Sequence, residues 1–166
     1  RRLGMAPQAL VGVGTVAVGF DASGYYRRKE ASFDPRAGFI FEGIGDDEVI
    51  GDFGLNLRGA GGFEFDRIDR AEGTPSDALL LASTVEPPET YYRAMEHGVG
   101  RGPHDPLVRG DMTYFERGRG GVVFSVGSIT WSGSLSYRDY DNNVALISTN
   151  VLRDFMRRGP PGGSDR

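Results

Sequence analysis

One carboxylate stands out among the residues that could do chemistry. Glu42 follows the apolar residues 39–41 and precedes a loop, residues 43–45, in which glycines let backbone approach a ligand closely. Apolar neighbours remove water from a carboxyl group, which raises its pKa toward the range of a general base. A structural carboxylate paired with an arginine would explain the same residue, and the residues alone favour that interpretation. Glu42 is therefore a candidate acid/base group, with an arginine-paired structural carboxylate as the alternative.

Four more carboxylates follow closely and could offer oxygen ligands to a hard cation. They are Asp46, Asp47, Glu48 and Asp52. Their order does not match the D-x-[DN]-x-[DN]-G pattern of a calcium loop, so a solvated acidic turn is expected here. Residues 52–54 (DFG) match the metal-binding triplet of protein kinases, but no other kinase motif accompanies them.

The remaining reactive residue types form no catalytic pattern. His97 and His104 are the only histidines, and they lie in a glycine-rich stretch without the spacing of a metal pair. The chain has no cysteine, which excludes disulfides, thiolate ligands and thiol nucleophiles. No serine lies in a G-x-S-x-G elbow, and the glycines at 12, 14 and 19 miss the dinucleotide fingerprint.

Charge and hydropathy exclude several classes of partner. The formal net charge of −4 provides no basic field for nucleic acid. No apolar run is long enough to cross a membrane, and no signal-peptide pattern precedes the apolar stretch near residue 10. Together with the absence of cysteine, this predicts a cytoplasmic protein without nucleic-acid or membrane partners. Because the sequence starts at Arg1, we expect either a processed start or a piece of a longer chain.

The elements that position these residues are predicted to be mainly strands. Alternation and short apolar runs predict strands at residues 8–20, 38–44, 61–69 and 78–83, and a hairpin of 111–116 with 121–126. Residues 78–83 are mostly apolar, the pattern of a strand buried on both faces. The segments between them predict a turn at 21–24, a polar loop at 25–36, helical turns at 90–97 and irregular structure at 98–106.

The clearest helix is the last element. Asp141, Asn142 and Asn143 are suitable N-caps, and apolar residues then recur at helical spacing until arginines and residues 159–161 (GPP) end the pattern. The final strand, loop and helix favour an α/β arrangement over a pure sandwich. The loop at 127–136, which surrounds the single Trp131, is expected either to plug the core or to contact a ligand.

Several of these segments resemble, in the same order, the C-terminal region of the large (beta) subunit of N,N-dimethylformamidase. Residues 121–143 (GVVFSVGSITWSGSLSYRDYDNN) are the most specific, and residues 150–153 (NVLR) follow them. The agreement continues upstream in residues 7–14, 19–21, 39–43, 51–55, 73–75 and 112–116. The resemblance covers residues 5–155.

This resemblance implies a fold, an activity and partners. It implies an α/β fold that is the C-terminal part of a glutamine-amidotransferase-like domain, formed by residues 1–155, with a disordered tail at 156–166. It implies hydrolysis of small N-substituted amides, dimethylformamide giving dimethylamine and formate. The partners would be the remainder of the large subunit and a small subunit in a hetero-oligomer, and Arg1 would fall within a longer chain. We expect the isolated segment to be inactive.

The resemblance also implies one iron ion held by two tyrosines and a glutamate. Those ligands match motifs upstream of this segment, so the tyrosine pairs at 25–26 and 91–92 are not assigned to the metal. Glu42, in the matching Phe-Glu-Gly motif, is the expected acid/base group beside a metal that polarises the amide or acidifies water. The alternative is a non-catalytic structural or binding module that shares the family's scaffold.

Overall fold

The computed structural model describes residues 4–94 and 100–158 of the chain. Within these residues six strands form one sheet: β1 (Gly14–Arg28), β2 (Gly61–Arg67), β3 (Leu79–Val85), β4 (Tyr92–Arg93), β5 (Asp111–Arg117) and β6 (Gly121–Ser125). The α-helices are α1 (Pro7–Val11), α2 (Thr130–Ser134) and α3 (Asn143–Arg158). Short 3₁₀ turns occupy Glu30–Phe33, Gly38–Phe41, Gly118–Gly120 and Tyr137–Tyr140. None of these helices is long and apolar enough to span a membrane.

The sheet is antiparallel and curled. Its strand order is β2-β1-β3-β5-β6, and β4 pairs with β1 beside this path. The first part of β1 pairs with β2, as in the register Gly14↔Arg67, whereas its last residues pair with β3, as in Arg28↔Ala82. Irregular pairing between Gly19 and Gly24 interrupts the register, and such bulges bend a strand. The predicted strand-rich sheet with a C-terminal helix is confirmed.

Two hydrophobic clusters lie along this sheet, and β1 contributes to both. The larger cluster contains Tyr26 of β1 together with Leu81 of β3 and Ile147 of α3. The smaller cluster consists of Val16, Ala17, Phe65, Tyr91 and Val108. In the smaller cluster the rings of Phe65 and Tyr91 stack with centroids 4.5 Å apart. The apolar run of β3 is buried because α3 packs in the same cluster. Its neighbours in the sheet, β1 and β5, are both antiparallel to it.

Two predictions near the N-terminus are wrong. Residues 8–11 of the predicted strand belong to α1, and β1 starts only at Gly14 and runs through the predicted turn at 21–24 as far as Arg28. Backbone pairing with β3 extends the strand, because Tyr25 lies opposite Val85 and Tyr26 opposite Thr84. The rest of the predicted loop is not irregular either, since it contains the 3₁₀ turn Glu30–Phe33.

The predicted strand at 38–44 is also wrong, because this segment is a chain of tight turns. Gly38–Phe41 is a 3₁₀ turn, and Ile44 N donates to Phe41 O over 2.9 Å to close the next turn. Ile40 and Phe41 are buried in the larger cluster, and the Phe39 ring lies edge-on to that of Tyr114 at 5.7 Å. A turn can therefore bury all three apolar side chains on the same side, which an alternating strand cannot.

Most of the remaining predicted strands are confirmed, and one predicted helix is not. The structure contains β2, β3 and the β5–β6 hairpin where alternation and apolar runs predict them. In the segment predicted as helical turns, residues 92–93 form the short strand β4 instead. Residues 95–97 of that segment, and the first two residues of the predicted irregular stretch, lie outside the described residues.

The C-terminal helix is confirmed, and Asn142 caps it. The Asn142 Oδ1 atom accepts from Ala145 N over 2.9 Å, while its Nδ2 atom donates to Tyr137 O over 2.7 Å. The second bond closes a turn in which Arg138, Asp139 and Tyr140 have left-handed backbone angles, with φ between 52° and 69°. Helix α3 continues to Arg158, so residues 156–158 are helical and not part of a tail, and residues 159–166 lie outside the described residues.

Trp131 plugs the core, as one of the two interpretations of its loop predicts. The residue is only 7% exposed and lies in α2. Its Nε1 atom donates to Ser148 Oγ over 3.1 Å, and its ring meets Tyr26 edge-on at 5.8 Å. Burial of the indole with its one donor satisfied accounts for the small residues around it.

Candidate functional site

A surface groove of about 490 Å³ lies between the 3₁₀ turn Gly38–Phe41 and the second half of α3. Both elements are held by the larger hydrophobic cluster, so the groove has a rigid floor. The residues that line it are Phe39, Glu42, Asn150, Arg153, Met156 and Arg157. The groove therefore presents one carboxylate, one amide and two guanidinium groups beside apolar surface.

Asn150 fixes the backbone that carries Glu42. Its side-chain Nδ2 atom donates to Glu42 O over 2.9 Å and lies 3.3 Å from Ile40 O, the second acceptor in the turn. The chain then turns away at Gly43, whose φ of +81° is in the left-handed region that favours glycine. A Cβ atom at Gly43 would also lie 3.1 Å from Leu146 of α3. The turn and the helix therefore act as one support for Glu42.

The Glu42 side chain itself is exposed, and the expectation that its neighbours bury it is wrong. Ile40 and Phe41 are buried in the larger cluster, and the partly exposed Phe39 lines the groove beside Glu42, so none of them covers the carboxylate. Among the described residues, the Glu42 carboxylate makes no hydrogen bond or ion pair, and the alternative of an arginine-paired structural carboxylate is not found there. A carboxylate without a hydrogen-bond or ion-pair partner can accept a proton or bind a cation. The catalytic role of Glu42 stays a prediction.

The opposite wall of the groove is positively charged. Arg157 Nη2 lies 3.1 Å from Asp154 Oδ1, and Arg158 Nη1 lies 3.0 Å from Glu116 Oε1 of β5. Arg153, which is exposed, has no ion-pair partner among the described residues. Burial raises the pKa of Tyr114, whose hydroxyl donates to Glu116, to about 12. This network ties the end of α3 to the sheet and leaves Arg153 available to a ligand or partner.

The buried tyrosines do not fit the role of metal ligands. The Tyr26 hydroxyl donates to Val126 O over 2.6 Å, and the Tyr91 hydroxyl donates to Ala22 O over 2.8 Å while accepting from Phe63 N. Burial raises the pKa of Tyr91 to about 12 and that of Tyr26 well above its ordinary value. A tyrosine that binds a metal is a phenolate with an accessible oxygen. These hydroxyls stay protonated and hydrogen-bond to backbone atoms, so they are structural groups.

The other tyrosine of each pair lies toward the surface. Tyr25 and Tyr26 are adjacent in β1 and therefore point to opposite faces of the sheet. The Tyr25 hydroxyl donates to Glu86 Oε2 over 3.0 Å, and Tyr92 is 49% exposed. The described structure does not bring these tyrosines together with a carboxylate cluster.

The acidic turn after Glu42 is structural. Asp46 Oδ1 lies 3.2 Å from Arg28 Nη1, and Glu48 accepts from Gly45 N over 2.9 Å and from Asn143 Nδ2 over 2.7 Å. Across the described ranges, no three His, Asp or Glu side chains are grouped so that they could hold a metal ion. The described carboxylates and histidine therefore form no metal site, and Tyr26 and Tyr91, whose hydroxyls bind backbone atoms, do not fit as ligands. The expected iron ligands upstream of this segment stay a prediction.

The structure describes one of the two histidines, and that residue lies at the surface. His104 Nε2 is exposed and lies 3.4 Å from Glu89 Oε1, which is exposed as well. His97 lies outside the described residues.

Two other carboxylates were missed by the sequence analysis. Asp111 is fully buried and accepts from Ser83 Oγ over 2.7 Å and from Arg109 Nε over 2.9 Å, so it is a satisfied structural group. Asp66 is half-buried in β2, two residues from Glu64, and its Oδ1 atom has no hydrogen-bond partner. Burial raises the pKa of Asp66 to about 6, and the negative charge of Glu64 adds to the effect. In the sequence, Glu64 and Asp66 lie two positions apart in a predicted strand, and this spacing places both carboxylates on one face of the sheet.

Comparison with known proteins decides the family. A family profile described as "N,N-dimethylformamidase beta subunit-like, C-terminal" matches residues 1–143. This chain belongs to that family. It is 46% identical over 160 residues to proteins named N,N-dimethylformamidase beta subunit from Paracoccus aminophilus and from Alcaligenes sp.. Each alignment covers 93% of this chain and 21% of the relative, so the chain spans about a fifth of the length of these curated relatives.

Membership confirms the resemblance predicted from residues 5–155. The matches extend over most of the chain, and they give no role to Glu42. The N,N-dimethylformamidase beta subunit-like C-terminal family thus provides the context in which the groove beside Glu42 is interpreted.

Proposed function

We propose that this chain is the C-terminal region of the large subunit of an amide hydrolase acting on small N-substituted amides, with N,N-dimethylformamide as the reference substrate. The observation that carries the proposal is the 46% identity, over 93% of the chain, to two proteins named N,N-dimethylformamidase beta subunit. On this proposal the products are dimethylamine and formate. The enzyme would be a cytoplasmic hetero-oligomer with a small subunit.

In this proposal the rest of the large subunit completes both the fold and the site. The described residues form only antiparallel pairs, so the parallel strands of a glutamine-amidotransferase-like α/β domain would come from upstream polypeptide. The same polypeptide would provide the iron ligands, because the described residues group no three His, Asp or Glu side chains for a metal ion and the Tyr26 and Tyr91 hydroxyls bind backbone atoms.

Glu42 is the residue of this chain to which we assign the proton transfers. Its carboxylate would take a proton from the attacking water as the new C–O bond forms. It would then return that proton to the nitrogen as the C–N bond breaks, so that the amine leaves neutral. An amine is a poor leaving group without this proton, which makes general acid catalysis valuable for amides. The carboxylate has no competing partner among the described residues, so it is available for both steps.

The test is Glu42→Gln in the complete enzyme. We expect kcat to fall by about 10²–10⁴-fold, the usual contribution of a general acid or base, while the iron content and the melting temperature stay unchanged. Glu30→Gln is the matched control, because Glu30 is also exposed, follows β1 in another 3₁₀ turn and makes no hydrogen bond or ion pair among the described residues. Retained turnover in Glu42→Gln would remove Glu42 from the mechanism.

A non-catalytic structural or binding module that shares the family's scaffold is the second candidate, and it needs no metal-ligand cluster, which is also absent among the described residues. If it is correct, the complete subunit hydrolyses no small amide, and Glu42→Gln changes no activity. Assays of formate release and iron content on the complete subunit therefore separate the two candidates.

A further inference from the structure

The outer face of α3 carries apolar side chains that the described structure leaves uncovered. Leu152 is 61% exposed and Met156 is 81% exposed, and their i, i+4 spacing places them one above the other on the helix. The groove of about 490 Å³ lies beside Met156, and a second groove of about 690 Å³ lies beside Leu152. Arg153 lines both grooves, so the two form one continuous surface.

The charges of this surface indicate which kind of polypeptide segment could cover it. Arg153 has no ion-pair partner among the described residues, and Arg157 shares Asp154 with Arg158. A covering segment that bears a carboxylate would give Arg153 a partner, whereas a basic segment would be repelled. The carboxylate of Glu42 lies across the first groove and is also unpartnered among the described residues.

We propose that the α3 surface, formed by Leu152, Arg153, Met156 and the groove beside Glu42, is the docking face for the upstream part of the same large subunit. The expected contact segment carries apolar side chains for Leu152 and Met156 and a carboxylate for Arg153. This inference rests on the proposed function, since that function requires residues from outside this chain to reach Glu42. The matched relatives contain roughly four-fifths of their length outside this region, so enough polypeptide exists to cover the face.

Two other occupants have to be distinguished from the upstream part. Residues 159–166 (GPPGGSDR) contain no large apolar side chain that could cover Leu152 and Met156. A second copy of this chain would form a two-fold interface in which Arg153 of one copy could meet Glu42 of the other, so the crosslinking experiment must separate it from the upstream part. A tethered segment also binds at a high effective concentration, which a separate subunit lacks.

The experiment places a benzophenone photo-crosslinker at Leu152 in the complete large subunit with its small subunit. Leu55 is the matched control position, because it is a leucine of similar exposure, 71% against 61%, and it lines neither groove. We expect Leu152 to crosslink to peptides from upstream of this chain, and Leu55 not to reach those peptides. Crosslinks only to the small subunit, only between copies, only within residues 1–166 or at neither site would overturn the proposal.

Arg153→Glu provides a second readout of the same surface. The reversed charge should reduce the Leu152 crosslink to the upstream peptides, whereas Arg36→Glu, at an exposed arginine paired with Asp34, should not. An undiminished crosslink in Arg153→Glu would reject the acidic contact. Amide hydrolysis is measured separately, so an inactive subunit with a positive crosslink would reject the proposed function and keep the docking face.

Discussion

The side-chain amide of Asn150 donates to the backbone oxygen of Glu42 over 2.9 Å. This single contact joins α3 to the turn that carries the candidate acid/base group. Because Asn150 also lies 3.3 Å from Ile40 O, one side chain holds two carbonyl groups of the turn, those of Ile40 and Glu42. The placement of Glu42 therefore depends on a helix residue more than 100 positions away in the chain.

Replacing Asn150 should loosen this turn. We expect Asn150→Ala to lower the free energy of unfolding by about 1–2 kcal/mol, because two carbonyl groups lose their donor. Urea denaturation measures the change. Thr149→Ala is the neighbouring control, since the Thr149 hydroxyl makes no hydrogen bond among the described residues and its loss should cost less than about 0.5 kcal/mol. Equal effects of the two variants would show that the contact does not stabilise the turn.

Asp66 should make stability depend on pH in a direction opposite to most carboxylates. Burial is the main cause that raises its pKa to about 6, above the value of about 4 expected in the unfolded chain. The folded state then binds the proton more tightly than the unfolded state does. Protonated Asp66 therefore contributes its full stabilisation to the free energy of unfolding below about pH 4, and this stabilisation is lost as the pH rises to about 6. Partial exposure of Asp66 limits the contribution to about 1–2 kcal/mol.

Unfolding of Asp66→Asn from pH 4 to pH 8 tests this expectation. The variant should match the parent near pH 4 and exceed its stability by about 1–2 kcal/mol above pH 6, because it no longer buries a charge. Asp47→Asn is the control, since Asp47 is exposed and its side chain makes no contact among the described residues. A constant difference between Asp66→Asn and the parent at all pH values would contradict the assigned pKa.

Tyr91 should matter for stability through its hydroxyl. Tyr91→Phe removes the donor to Ala22 O and the acceptor of Phe63 N, and leaves both backbone groups without that partner. We expect a loss of about 2–3 kcal/mol in the free energy of unfolding. Tyr25→Phe should cost less than about 0.5 kcal/mol, because its bond to Glu86 is exposed. A small effect of Tyr91→Phe would mean that the smaller cluster tolerates the unpaired groups.

Hydrophobic patterning predicts the elements of this fold where a segment buries one face. Alternation at 61–69, the apolar run at 78–83 and the caps before Val144 correspond to β2, β3 and α3. It fails where pairing across the chain overrides local turn signals, as at residues 21–28, where Asp21 and Gly24 lie within β1. It also fails at Gly38–Phe41, since three consecutive apolar residues are compatible with a buried strand and with a buried turn.

The candidate site is predictable only in part. Glu42 could be singled out because it interrupts an apolar segment before glycines, but its exposure depends on the direction of a turn that the pattern does not encode. Asn150 gives no comparable signal, because other polar residues, Arg153 and Arg157, follow it on the same side of α3. Its acceptors are backbone atoms about 110 residues earlier, and local sequence carries no information on such a contact.

Strand β1 is 15 residues long and contributes side chains to both hydrophobic clusters, so it couples the packing of the two. Detaching β2 and β4 from the first part of this strand would expose Val16 and Ala17, and detaching β3 from its last part would expose Tyr26. Because residues at both ends of this strand are core residues, we expect the loss of either end to weaken the packing of the sheet. The described region should consequently melt as a single cooperative unit, and a protease cut within β1 would dismantle both halves at once.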